Sequence, residues 1–224
     1  PYNFKDLEEL KVKYNLKIIE DAAQSFGSSI NGKMSWRFGD IGCTSFFPAK
    51  PLGCYGDGGS IFTDDDNLAE VLKSIRIHGT GIDKYHNIRL GINGRLDTIQ
   101  AAILITKLKA FSKEIELRNK VAQQYNDNFK NTFGLQFVPS GYISSWAQYS
   151  ILCDSDSHRN TIINKLNDKN IPSAIYYSIP LHLQKVYEQL NYKKGDLLIS
   201  EDVSSRIISL PMHPYLSSDE INKI

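Results

Sequence analysis

The chain has 224 residues, of which 41% are hydrophobic and 23% charged, enough for one large or two modest domains with a buried core. Its formal net charge of +1 gives no electrostatic reason to expect binding to nucleic acid or to an acidic membrane surface. No apolar run approaches the length that spans a bilayer, and the three cysteines show no metal-ligand spacing and follow no secretory signal. These features predict no metal site and favour a reducing cytoplasm.

The first predicted elements are a short amphipathic helix and an apolar strand. Phe4, Leu7 and Leu10 share one face of the helix, and the strand runs directly into residues 20–24, Glu-Asp-Ala-Ala-Gln. Ligands of α/β proteins bind at the carboxyl ends of parallel strands, which is where we expect Asp21. Taken alone, such an acidic pair is more often a helix cap or a solvated turn.

A second strand is predicted before a lysine. Residues 42–53 pass from small and aromatic residues to Lys50, which faces the glycine-rich segment 56–59. Partial desolvation of its ammonium group would favour the neutral amine that attacks a carbonyl. A phosphate-binding loop of the nucleotide-hydrolase kind fails on order, because here the lysine precedes the glycines and Pro51 follows it. Most lysines are surface charges, so the combination with Asp21 carries the argument.

A strand, a helix and a loop follow the glycines. Residues 59–63 are predicted as a strand, and a helix begins at one of residues 64–65. Residues 80–94 are polar and rich in turn formers, which indicates a loop. Asp97 then caps a helix, in which Gln100 is placed for a capping-box hydrogen bond.

The organisation changes near residue 112, where we place a domain boundary. Beyond it the pattern predicts a strand within residues 146–153, a helix opening at 156–157 and another helix over 201–208. The sequence therefore predicts a layered α/β region over residues 1–112 and a mixed α+β unit over residues 113–224.

Several blocks, in this order and spacing, resemble the DegT/DnrJ/EryC1/StrS family of pyridoxal-phosphate-dependent aminotransferases, which act on nucleotide-linked keto sugars. The blocks are residues 20–24, 45–53, 56–59, 91–102 and 208–214. The resemblance implies a fold-type I architecture, with a large three-layer αβα domain whose C-terminal portion is residues 1–112 and a small C-terminal α+β domain over residues 113–224. Family members have a long preceding segment, so the N-terminal part of the large domain is expected to be absent from this chain.

The resemblance also implies roles for individual residues at the cofactor. Lys50 would hold pyridoxal 5'-phosphate covalently and act as the catalytic proton carrier, and Asp21 would keep the pyridine nitrogen protonated. Ser45 would bind the phosphate, and Gln24 would lie near the ring or its hydroxyl. Asn93 would reach the phosphate in the neighbouring subunit, which implies a homodimer with shared active sites.

Three further residues are candidates for substrate binding. Arg95 either pairs with a substrate carboxylate, which suits a bidentate guanidinium, or is a surface charge. Tyr177 and His182 either contact the substrate or pack with satisfied polar tips.

The implied reaction moves an amino group from an amino acid, L-glutamate in most relatives, to a keto group of a nucleotide-linked sugar. Pyridoxamine 5'-phosphate would be the intermediate cofactor form. The expected pathway is bacterial surface polysaccharide or lipopolysaccharide synthesis, with a UDP-3-keto-N-acetylhexosaminuronate as one substrate. Three alternatives stay open: a C4-aminating UDP- or dTDP-4-keto-6-deoxy-sugar aminotransferase, a non-catalytic homologue, and a catalytically incomplete fragment. Sugar dehydratases of the same fold have histidine in place of Lys50, which disfavours them.

Overall fold

A computed structural model describes residues 2–224, in which six α-helices and nine short strands are found. The helices are α1 (Phe4–Tyr14), α2 (Asp66–Arg76), α3 (Thr98–Phe129), α4 (Asp156–Asp168), α5 (Leu198–Arg206) and α6 (Ser218–Lys223). The strands are β1 (Ile19–Asp21), β2 (Ser29–Ile30), β3 (Lys33–Met34), β4 (Ile41–Ser45), β5 (Gly59–Phe62), β6 (Gly134–Leu135), β7 (Tyr142–Ile143), β8 (Tyr149–Leu152) and β9 (Ile207–Leu210). Across the described residues 2–224, none of the helices is both long and apolar enough to cross a bilayer.

The chain divides into two compact units. One contains the residues up to Ile115 together with Val138–Ala147, and the other contains Glu116–Phe137 and Gln148–Ile224. The division falls within α3 and includes a returning segment, whereas the sequence predicted one boundary near residue 112. The assignment of residues 1–112 and 113–224 to the large and small domains of the family stays a prediction.

The first unit is built on a three-stranded sheet in the order β1-β4-β5. Strands β1 and β4 are parallel, and β4 and β5 are antiparallel. A smaller sheet in the order β3-β2-β7 contains a hairpin whose turn residues, Asn31 and Gly32, both have positive φ. Asparagine and glycine tolerate that backbone region, which explains a two-residue connection here.

The core of the first unit is aromatic. Its buried members are Phe26, Phe46, Leu52, Cys54, Leu104, Phe111 and Ile115. The Phe26 ring stacks on Trp36 with centroids 4.3 Å apart. Gly27 is required beside it, because its φ is +91° and an added Cβ would lie 2.7 Å from Cδ1 of Ile115. A side chain at this position would therefore force the buried Ile115 and Phe111 side chains of α3 to shift.

The second unit contains an antiparallel sheet in the order β6-β8-β9. The fully buried Tyr125 of α3 stacks on Tyr149 of β8 at 4.7 Å and donates a hydrogen bond of 2.9 Å to the carbonyl of Pro211. Burial raises the pKa of both phenols, so neither ionises in the ordinary pH range.

Most predicted elements are confirmed, with two corrections. The helix predicted over residues 201–208 runs from Leu198 to Arg206, because Ile207 and Ile208 pair with β8 as part of β9. Gln100 does not serve the predicted capping box through its carbonyl, since its Oε1 accepts the backbone N–H of Tyr55 at 2.8 Å.

Candidate active site

Asp21 and Ser45 lie at the same edge of the central sheet. The parallel register places Asp21 opposite Cys43, so the carboxyl ends of β1 and β4 meet there. Opposed residues project to one face, and Ser45 returns to that face two positions beyond Cys43. The two predicted cofactor residues therefore share one edge and one face.

The acidic pair is divided between the two faces of the sheet. Glu20 is buried, and its Oε2 accepts the backbone N–H of Phe38 at 3.1 Å. Asp21 is exposed, and its Oδ1 accepts the N–H of Ala23 at 3.0 Å, which fixes the turn after β1. Of the two acids, Asp21 is thus the one available to a ligand.

Hydrogen bonds across the strand ends hold this edge. The N–H of Ala22 donates to the carbonyl of Cys43 at 2.7 Å, and the hydroxyl of Thr44 donates to the carbonyl of Ala22 at 3.3 Å. Desolvation first and the Asp21 carboxylate second raise the pKa of the Cys43 thiol. The thiol between Asp21 and Ser45 is therefore kept protonated.

Lys50 lies in a loop that begins directly after β4. The Ser45 hydroxyl accepts the N–H of Phe47 at 3.2 Å, and the N–H of Lys50 donates to the carbonyl of Phe47 at 2.9 Å. The loop returns when the N–H of Cys54 donates to the carbonyl of Phe46 at 2.8 Å. The half-buried Lys50 is thus presented by a short, internally bonded loop.

Two α3 side chains that the sequence analysis did not assign to the site hold the return of this loop. Gln100 accepts the Tyr55 N–H, as described above, and the ammonium of Lys107 donates to the carbonyl of Gly53. Their spacing of seven residues places both on one face of α3, but nothing in the sequence indicates that this face meets the loop.

The remaining predicted cofactor residues lie on other segments of the first unit. Gln24 follows β1 with an exposed side chain, and its carbonyl accepts the hydroxyl of Ser145 at 3.1 Å. Asn93 and Arg95 are exposed on the loop after α2, which is fixed when the N–H of Ile92 donates to the carbonyl of Ile75 at 2.8 Å. The structure thus brings Asp21 and Ser45 to one edge and places Asn93 and Arg95 beside the end of α2.

Tyr177 and His182 both belong to the second unit, but they differ in solvent exposure. Tyr177 is 66% exposed, so it is accessible to a ligand. His182 is buried, and its Nε2 lies 3.1 Å from Oε1 of Glu201. The His182 side chain is thus packed with its polar tip paired, and its role at the substrate stays a prediction.

Glu201 joins three segments of the second unit. Besides contacting His182, its carboxylate accepts the N–H of Gly195 at 2.8 and 3.0 Å and that of Leu197 at 3.4 Å. The Gly195 hydrogen bond is the largest cause that lowers the pKa of Glu201, and His182 contributes. The carboxylate therefore ties the turn at His182 and the loop at 193–197 to α5.

Comparisons with known proteins agree with this fold. The chain belongs to the DegT/DnrJ/EryC1/StrS aminotransferase family, because the model of that family matches residues 1–224.

Among its relatives, UDP-2-acetamido-2-deoxy-3-oxo-D-glucuronate aminotransferase of Pseudomonas aeruginosa is 44% identical over 99% of this chain and 60% of that protein. UDP-N-acetyl-3-dehydro-alpha-D-glucosamine 3-aminotransferase of Acidithiobacillus ferrooxidans is 36% identical over 100% of this chain and 59% of that protein. The crystal structure of a DegT/DnrJ/EryC1/StrS aminotransferase from Brucella abortus superposes with a TM-score of 0.94 and 46% identity, covering 100% of this chain and 59% of that one. The chain thus spans about 60% of the length of the curated relatives it matches.

Proposed function

We propose that this chain is part of a pyridoxal-phosphate-dependent aminotransferase that moves an amino group from an amino acid to a keto group of a nucleotide-linked sugar. The observation that carries the proposal is the strand edge where Asp21 and Ser45 share a face and the loop of Lys50 begins. This arrangement occurs in a chain that belongs to a family of aminotransferases.

The residues at this edge fit the cofactor. Pyridoxal phosphate needs a carboxylate for its ring nitrogen, donors for its phosphate and an amine that binds its carbonyl. Asp21 is exposed on the face where we propose that the cofactor binds. Its neighbour Glu20 lies on the opposite face of the sheet, where it accepts the backbone N–H of Phe38. When bound, the cofactor supplies the electron sink for the reaction.

The chain's own groups would then divide the work. The Asp21 carboxylate holds a proton on the ring nitrogen, and the Ser45 hydroxyl donates to the phosphate. The Lys50 amine carries a proton between the donor's α-carbon and the cofactor carbon that receives the amino group. We propose Gln24 as a neighbour of the ring and Asn93 as a donor to the phosphate bound by a partner subunit, which requires a homodimer.

A covalent adduct on Lys50 tests the cofactor proposal. The 224-residue chain, and a chain extended at its amino end to the length of its relatives, are mixed with pyridoxal phosphate, reduced with borohydride and analysed by peptide mass spectrometry. We expect the adduct on Lys50 and its loss in Lys50→Ala, with Lys109→Ala as the matched control. A chain that carries no adduct on Lys50 in either length would refute the proposal.

For the substrate we propose a UDP-linked 3-keto sugar, with a 3-keto uronate first, because two relatives are named for amination of 3-oxo or 3-dehydro sugars. The named alternative is a dTDP- or UDP-4-keto-6-deoxy sugar aminated at C4. Competition between the two substrate classes, with ¹⁵N-labelled L-glutamate as donor, separates them by which sugar acquires the label. A labelled 4-amino sugar alone would refute the 3-keto assignment.

Arg95 provides the test for a uronate. Its guanidinium is exposed on the loop after α2, and we propose that it pairs with the sugar carboxylate. Arg95→Leu is then expected to lower kcat/KM for a 3-keto uronate by about 10- to 100-fold while leaving the matching uncharged sugar unaffected. An equal loss for both sugars would contradict this role.

We propose that Tyr177 contacts the substrate because its side chain is exposed. For His182 we propose a packing role because of its contact with Glu201.

We also propose that the protein acts in the cytoplasm, where nucleotide sugars are made, and in the synthesis of a surface polysaccharide such as lipopolysaccharide. The non-catalytic and incomplete-fragment alternatives predict no label transfer at all.

A further inference from the structure

We infer that Gln100 and Lys107 are positioning residues that fix the loop carrying Lys50, an inference about catalysis that rests on the proposed function. Both are polar residues on a face of α3 that otherwise packs into the core. Positions 100, 104, 107 and 111 form one stripe along the helix, and Leu104 and Phe111 of that stripe are buried. Gln100 and Lys107 are thus the two polar, half-buried members of a stripe whose other two members are apolar and buried.

The two side chains bind on either side of one anchored residue. Lys107 donates to the carbonyl of Gly53, and Gln100 accepts the N–H of Tyr55. Between them, Cys54 is fully buried, and its thiol lies 3.0 Å from the carbonyl of Phe46. The return of the loop is therefore fixed from the helix and from the start of the loop at once.

This fixation leaves the loop little room to shift. A Cβ added at Gly53 would lie 2.5 Å from the carbonyl oxygen of Pro48, so the return passes directly against the residues that precede Lys50. A Cβ at Gly56 would lie 3.0 Å from Nε2 of Gln100, which places the amide group against the loop. Movement of residues 53–56 is thus transmitted to Lys50 through close backbone contact.

Lys107 is committed to this loop. It is half-buried, and its ammonium lies 5.7 Å from the centre of the Tyr55 ring as well as bonding to Gly53. A charged donor strengthens a hydrogen bond to a carbonyl relative to a neutral one. Lys109, two residues further along, is exposed and so serves as a matched control on the same helix.

The first test measures amide hydrogen exchange in the full chain without cofactor. Lys107→Met and Gln100→Leu keep the side-chain stems and remove the polar contacts, and each is expected to speed exchange in residues 50–56 by about tenfold. Lys107→Arg and Gln100→Glu keep a donor and an acceptor and should restore slow exchange, and Lys109→Met should match wild type. Peptides from α2 in the first unit and from α4 in the second serve as controls, because unfolding of either unit would raise exchange in its own helix too.

The second test follows formation of the borohydride-stable adduct on Lys50 with pyridoxal phosphate below saturation. Lys107→Met and Gln100→Leu should slow it several-fold, and the conservative variants should restore it. Faster exchange with unchanged adduct formation would overturn the positioning role, and unchanged exchange would overturn the inference altogether. Faster exchange in the variants, together with no Lys50 adduct in the wild-type chain at either length, would support the loop attachment and refute the proposed function instead.

Discussion

Asp40 provides the sharpest test of how the candidate site is held, because one carboxylate fixes the entrance to both site strands. Its Oδ2 accepts the N–H of Ile18, one residue before β1, at 2.9 Å and bonds to the ammonium of Lys11 in α1 at 2.9 Å. Its Oδ1 lies 3.5 Å from the ammonium of Lys17. Since Asp40 itself directly precedes β4, these contacts join α1, β1 and β4.

The pKa of the Asp40 carboxyl gives the size of its expected contribution to folding stability. The Ile18 hydrogen bond first and then the Lys11 ammonium lower the pKa of Asp40 from its ordinary 3.8 to about 2. At about 1.4 kcal/mol per pH unit, the ionised form is stabilised in the folded protein by about 2 kcal/mol. The side chain is 21% exposed, so solvent screens only part of this interaction.

Asp40→Asn removes the charge and keeps a carbonyl that can accept the Ile18 N–H. In urea unfolding at pH 7, we expect the free energy of unfolding of the variant to be lower than that of wild type by about 2 kcal/mol. Because the folded pKa lies below the unfolded one, the wild-type contribution is complete above pH 3.8 and disappears as the pH falls through about 2. The difference in free energy of unfolding between variant and wild type should therefore decrease as the pH falls from 3.8 to about 2.

Lys17→Met is the matched control, because the Lys17 side chain is 83% exposed and its ion pair should contribute less than about 0.5 kcal/mol. A difference between Asp40→Asn and wild type that is equal at pH 7 and at pH 2.5 would refute the electrostatic reasoning. It would mean that the substitution acts through packing or backbone geometry.

Three further changes probe the two units. Gly27→Ala combines a φ of +91° with a steric overlap on α3 and should cost at least about 2 kcal/mol in thermal or urea unfolding; Gly32→Ala, at φ +81° with open space around it, should cost about 1 kcal/mol, and equal costs would contradict the overlap. Tyr125→Phe leaves the Pro211 carbonyl without its buried donor and should cost about 1–3 kcal/mol, so a neutral effect would show that water replaces the hydroxyl. Glu201→Gln should destabilise the protein most above pH 4.5, with the difference narrowing as the pH falls and wild-type Glu201 becomes protonated; a pH-independent effect would exclude the carboxylate charge as its cause.

Much of the fold was readable in the sequence because local patterns fixed it. Apolar spacing at 3.6 residues located α2, and the aspartate at 65 caps it by accepting the N–H groups of Asn67 and Leu68. The strand predicted over residues 59–63 is β5, Gly59–Phe62. Ile207 and Ile208 were assigned wrongly to a helix, since a β-branched pair after a helical stretch becomes a strand only when a partner strand is available.

The candidate site also has features that the sequence determined and features that only the tertiary structure decided. The sequence by itself determined the residue types, an acid after one strand and a serine and a lysine after another, because their order along the chain is a chemical pattern. Only the tertiary structure decided that the Asp21 side chain is exposed on the face it shares with Ser45 while Glu20 is buried, since this depends on the register between β1 and β4. Long-range contacts likewise decided that α3 holds the Lys50 loop, because no local pattern reports which backbone groups a distant helix will meet.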